Sequence, residues 1–214
     1  MGLLFEAYVK GGWIMHLILV IGILALTFFI ERVIVLFFRA SVDKDRFMGD
    51  VQRAILAGDI NSAVNYCNSR SSPLSNIVKA GLIAVMNRGK EDEVQTAMDV
   101  AALREVPTLE RRTPFLALFG NVATLMGLLA TISGLIISFG AVAGLDPSLK
   151  AAALAKGISE AMFGTAFGLI VAIPSLLGYA LLTSRSQRLV DDIHEVSVGT
   201  LNLILQNREK FPSK

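Results

Sequence analysis

Six residues of one uncharged stretch could do chemistry inside a hydrophobic environment. Gly120, Thr124, Gly127, Thr131, Gly134 and Ser138 follow one another at separations of 4, 3, 4, 3 and 4. On a helix that spacing is a single seam. Its small residues let helix backbones approach closely in lipid, where apolar surface alone gives helices no reason to associate. Its hydroxyls can donate to the carbonyl four residues back or to a neighbouring helix. The seam therefore reads as a tight helix interface or as the wall of a polar pathway. Both hold in a ring, where one edge packs and the adjoining edge faces a lumen.

A second apolar stretch and the residues leading into it repeat the theme. Gly157, Ala161, Gly164, Gly168, Ala172 and Ser175 make a small-residue face, with Gly164 and Gly168 as a GxxxG and Thr165 beside it. Gly127, Gly134, Gly164 and Gly168 are the expected close-packing positions. Pro174 removes one backbone hydrogen bond and should kink the helix, as a static bend or a hinge. Glu160 stands at the mouth of this stretch. A charge at the centre of a spanning helix costs about 2.5–3.5 kcal/mol on insertion scales and usually has a function; at the mouth the cost falls, and a plain interfacial acid is the alternative. Glu160 and Thr165 are five residues apart, about 140° of helical rotation, so one straight helix does not point both at one lumen. Tilt or adjoining subunits would. Apart from Glu160 and Glu31 the expected spans hold no carboxylate. If protons cross here, another protein supplies the main titrating group.

These residues need long apolar helices to hold them. Hydrophobic residues make up 53% of the 214-residue chain and mean hydropathy is +0.59, above the ~45–50% apolar content usual for a soluble domain. Three runs, 14–38, 115–143 and 161–184, exceed the ~20 residues a spanning helix needs. The first is longer than the ~7–15 residues of a signal-peptide core and has Glu6 before it, so it is expected to remain as a helix. Segment 39–114 carries 11 Lys and Arg and segment 185–214 carries five, against Lys10 in 1–13 and Lys150 and Lys156 near the second turn. The bias of basic residues places the amino terminus outside and the carboxy terminus inside. The expected architecture is an all-α integral membrane protein: a periplasmic lead over 1–13, spans over 14–38, 115–143 and 161–184, a cytoplasmic helical domain over 39–114, a periplasmic hairpin with the start of the third span's helix over 144–160, and a cytoplasmic helical tail over 185–214.

Within 39–114, Phe47, Val51 and Ile55 recur at helical spacing, Gly58 and Asp59 mark a break, and Ser72-Pro73 opens another helix. Gly89 ends that helix, and Glu91, Asp92 and Glu93 favour the start of the next. Pro107 and Pro114 should bend or interrupt the path into the second span. Trp13 suits an interfacial belt. Glu31-Arg32, near the inner end of the first span, reads as a pair snorkelling to the headgroups or as a partner contact. The chain has no Walker A loop, no GxGxxG and no His/Cys cluster, and its lone Cys67 reads as a packing residue. No cofactor or metal is expected, an enzyme has little support, and a net charge of +2 is too small to suggest nucleic acid.

The stretch 121–139, NVATLMGLLATISGLIISF, and the stretch 154–174, LAKGISEAMFGTAFGLIVAIP, resemble the MotA/TolQ/ExbB proton-channel family, closest to its ExbB and TolQ branches. So do Glu31-Arg32 and the Arg-x-x-Pro-x-Leu-Glu-Arg segment at 104–111. The resemblance implies a homopentameric ring around two single-span ExbD/TolR-like partner helices in the inner membrane. The partner supplies a transmembrane Asp, and a TonB/TolA-like protein receives the work across the periplasm. It places Thr131 and Thr165 on the proton pathway and Glu160 at the family acid. Ala130 stands where glycine is usual and Thr124 where proline is common, which bears on packing near the pore. The implied function is a stator that turns proton motive force into work for outer-membrane transport or envelope maintenance. A gliding or other motility motor is the alternative within that chemistry, and a structural membrane scaffold the alternative outside it.

Overall fold

Long uncharged runs with few helix breakers leave the backbone one way to satisfy its own N–H and C=O groups away from water. The computed structural model describes residues 13–70, 72–144 and 146–210. Apart from Trp13, the lead expected over 1–13 lies outside the described residues. Among those described, all regular structure is helical. The helices are α1 Trp13–Val33, continued by a π-helical turn Ile34–Arg39, then α2 Lys44–Leu56, α3 Ile60–Ser69, α4 Pro73–Met86, α5 Glu91–Glu110, α6 Pro114–Val142 and α7 Pro147–Gln206. Three stretches, within Trp13–Leu56, Glu91–Val142 and Pro147–Gln206, are long and apolar enough to cross a membrane.

The chain divides into two compact units. The first takes Met1–Glu31 and Thr113–Leu181. In it Ile14, Met15 and Ile18 of α1 are buried with Ala130 of α6, and Met126, Phe163, Phe167 and Val171 pack around them. Phe28 of α1 lies 5.5 Å and 5.4 Å, ring to ring, from Phe115 and Phe119 of α6. Gly178 of α7 leaves room for the Phe29 ring. Large apolar side chains such as Leu125, Ile136, Met162 and Leu177 stay exposed, as suits helices that meet lipid or further helices.

The second unit takes Arg32–Arg112 and Leu182–Lys214. Its turns follow from local chemistry. Gly58 takes a positive φ of 75° and Asp59 caps α3 through the Ser62 N–H. Ser72 and Ser75 form a capping box with Pro73 in the first turn of α4, an arrangement that satisfies otherwise orphaned donors. Phe47, Val51, Ile55, Ile77, Val78, Leu82, Val94 and Met98 fill the core. Gly81 of α4 lies under Met98 of α5, where a Cβ would come within 2.6 Å of its sulfur. The later half of α7 closes the unit, with Ile193, Val196 and Ile204 buried. There Lys44 Nζ meets Glu195 at 2.8 Å and Asp192 at 3.3 Å, and these carboxylates hold its pKa above the ordinary lysine value.

The proline expectations resolve unequally. Pro107 is accommodated inside α5, whereas a turn over 111–113 separates α5 from α6, and Pro114 opens α6 where its missing N–H is harmless. Pro174 lies within a continuous α7. That helix starts at Pro147, well before the apolar run, because the alanine-rich segment 151–156 is strongly helix-forming.

Candidate functional site

The seam of α6 and the small face of α7 lie against each other in the first unit. A Cβ built on Gly120 would meet Leu176 and the Ala172 carbonyl. On Gly127 it would meet the Gly164 carbonyl and the Cα atoms of Gly168 and Thr165, and on Gly134 it would meet Ala161. Gly157 is filled by Ser138. Positions that rise along α6 thus meet positions that fall along α7, which makes the pair antiparallel. Gly168 sits on the Ala123 carbonyl at 2.7 Å and the Gly127 Cα at 3.0 Å from its missing Cβ. At this crossing backbone touches backbone.

At the centre of that contact the structure brings Thr131 and Thr165 together. Their hydroxyls hydrogen-bond to each other. Thr131 Oγ1 also lies 3.2 Å from the Gly127 carbonyl of its own helix and 3.3 Å from the Ala161 carbonyl of α7. Thr165 Oγ1 lies 3.2 Å from the same Gly127 carbonyl. Each hydroxyl owns one proton and can accept another bond. Two protons are therefore shared among more acceptors than they can serve at once, and the pair has alternative donor patterns. Both residues are half-buried. The other seam hydroxyls are occupied locally: Thr124 donates to Gly120 at 3.1 Å and Ser138 to Gly134 at 2.7 Å.

Glu160 lies on α7, half-buried, immediately before Ala161. Among the described residues no hydrogen bond or ion pair holds its carboxylate. No hydrogen bond among the described residues joins it to Thr165 or Thr131, whose hydroxyls pair with each other and with backbone carbonyls. Pro174 is exposed, further along the same helix. Ala130 is answered by Gly164, whose missing Cβ would fall 2.5 Å from the Ala130 methyl. The bulk gained at one position is absorbed by the glycine opposite.

Arg32 departs from the snorkelling expectation. It is only 2% exposed, and its guanidinium turns inward within the second unit. Nη1 and Nη2 donate to the Thr108 carbonyl at 3.1 and 3.3 Å, and Nη2 donates to the Leu109 carbonyl at 3.1 Å. Ser186 donates to that Leu109 carbonyl at 3.0 Å. These carbonyls belong to the last turn of α5, where helical partners run out. Sequence reasoning missed this cap and the Ala161 carbonyl, because each partner lies far along the chain.

A model of the MotA/TolQ/ExbB proton channel family matches residues 69–195. TolQ of Pseudomonas aeruginosa, a Tol-Pal system protein, is 39% identical over 97 residues, covering 45% of this chain and 42% of that protein. The ExbB-like 1 protein of Synechocystis is 30% identical over 190 residues, covering 88% of this chain and 74% of that one. Among solved structures, Campylobacter jejuni MotAB superposes with a TM-score of 0.56 at 14% identity, covering 91% of this chain and 81% of its own; at that identity the likeness is one of fold.

Proposed function

Because the chain belongs to the MotA/TolQ/ExbB proton channel family, we propose that it is a proton-conducting stator subunit of an inner-membrane motor. Five copies surround two single-span helices of an ExbD/TolR-like partner, whose transmembrane aspartate takes up and releases the proton. The partner passes the work to a TonB/TolA-like protein and so energises outer-membrane transport or envelope maintenance. The amino terminus lies outside and the second unit inside, a reading supported by the crowding of Lys and Arg into 39–114 and 185–214.

The observation that carries this reading is the meeting of Thr131 and Thr165 over the Gly127 carbonyl. Between two uncharged helices it leaves a pair of hydroxyls with interchangeable donor patterns, which can solvate a passing proton without holding it. Glu160 adds one acid near the end of that path and is no substitute for a titrating group within it. The absence of further carboxylates from α6 and from residues 161–184 of α7 agrees with a partner that supplies one.

The test is affinity purification from the native host in mild detergent, with peptide identification of what accompanies the chain. A single-span protein with a transmembrane Asp is expected. Reconstituted with that protein, Glu160→Gln should assemble yet carry little proton flux. A ring of this chain alone, from a preparation that preserves known weak complexes, would overturn the partner assignment. Undiminished flux in Glu160→Gln would overturn the role of the acid.

A further inference from the structure

The second unit holds a cavity that the stator reading does not use. It is about 560 Å³ in volume and lies among the α2–α3 turn, the α4–α5 turn and the end of α7. That volume falls within the range of small-molecule sites. Its accessible apolar wall is Val85, Met86 and Leu205, with Ile60, Val94 and Ile204 buried behind them. Its polar lining includes Asp59, Asn61, Arg88 and Arg208.

The charges are unequally engaged. Both Asp59 carboxylate oxygens are occupied by Ser62, one by its N–H at 3.0 Å and the other by its hydroxyl at 2.6 Å. Arg208 donates one Nη2 bond, 2.7 Å, to the Gly89 carbonyl, which orients its guanidinium. Neither Arg88 nor Arg208 has an ion-pair partner among the described residues. Two exposed guanidinium groups therefore border a half-open pocket whose carboxylate is already committed to a cap. Arg88 also holds φ at 61°, the one positive value among the described non-glycine residues. A Cβ disfavours that conformation, and Gly or Asn is the usual occupant at a helix end. An arginine at a strained position beside a pocket is a reason to ask what it binds.

We propose that this pocket binds a small organic anion, with a phosphate or carboxylate head held by Arg88 and Arg208 and an apolar body against Val85, Met86 and Leu205. Guanidinium forks suit such heads because they present paired N–H donors. Neither the head nor the body suffices alone.

The test uses the full chain in lipid nanodiscs, titrated calorimetrically with 1-naphthyl phosphate and corrected against empty nanodiscs. Saturable binding is expected, with inorganic phosphate and 1-naphthol each at least about tenfold weaker. Arg208→Gln should weaken binding about tenfold. Arg88→Gly is the sharper variant: it relieves the positive φ, so the folded chain should melt no lower than the parent, while binding should weaken about tenfold. No saturable binding beyond that of empty discs, or unchanged affinity in both arginine variants, overturns the proposal.

Discussion

The hydroxyl of Thr131 on α6 hydrogen-bonds to the hydroxyl of Thr165 on α7, and both reach the carbonyl of Gly127. The two residues are 34 positions apart in the chain yet act as one polar group. Thr131→Val and Thr165→Val keep the volume and remove the hydroxyl. Each is expected to cut proton flux into proteoliposomes that also hold the single-span partner at least about tenfold, while changing unfolding by only about 1 kcal/mol. The double variant should lose little more than either single one, as residues acting together do not add. Additive losses in flux would separate the two hydroxyls into independent roles.

Gly164 and Gly168 are both closed to a side chain, but by different obstacles. Gly164→Ala drives a methyl against the Ala130 methyl, whereas Gly168→Ala drives one against the Ala123 carbonyl and the Gly127 backbone. Each should destabilise by about 1–3 kcal/mol. Ala130→Gly should restore the first and leave the second impaired. Thermal unfolding in detergent of the singles and the two doubles decides this, and equal rescue of both would contradict the contact pattern.

Arg32 caps the end of α5 from a buried position. Arg32→Met leaves the Thr108 carbonyl without this donor and the Leu109 carbonyl with Ser186 alone, a loss of about 2–3 kcal/mol. Arg32→Lys keeps the charge without the fork and should recover only part. A helix-melting temperature unchanged in Arg32→Met, followed by circular dichroism, would count against the cap.

Cys67 is buried in α3, and burial pushes its thiol up to about 11 from an ordinary 9.0. At pH 8 it should react with iodoacetamide far more slowly than in the unfolded chain. A raised folded pKa means that the stabilising contribution is intact below the unfolded value of 9.0 and is lost as pH climbs toward about 11. Mass-spectrometric labelling rates across that window would show it. Labelling at the free-thiol rate at pH 8 would show α3 opening readily.

Much of the first unit was legible because its signals are local and repeated. Uncharged runs announce helices, and a 4-3-4-3-4 series of small residues announces the face that closes. The turns at Gly58-Asp59 and Ser72-Pro73 were legible for a similar reason: a cap and its helix are neighbours. What stayed hidden depended on distant partners. Nothing near Arg32 tells it that Leu109 will need a donor, and nothing near Thr131 names the Ala161 carbonyl. The π-helical turn Ile34–Arg39 has no composition of its own to announce it.

The glycine contacts between α6 and α7 carry one more consequence. Burying glycine and alanine costs essentially no rotamer entropy. A joint made largely of them has few side chains to freeze when it forms and few to loosen by degrees when it is warmed. It resists shear as two interlocked backbones do, and it yields by separating rather than by softening. Where Thr131 and Thr165 meet, an adaptable pair of hydrogen bonds is set into a closely packed backbone seam.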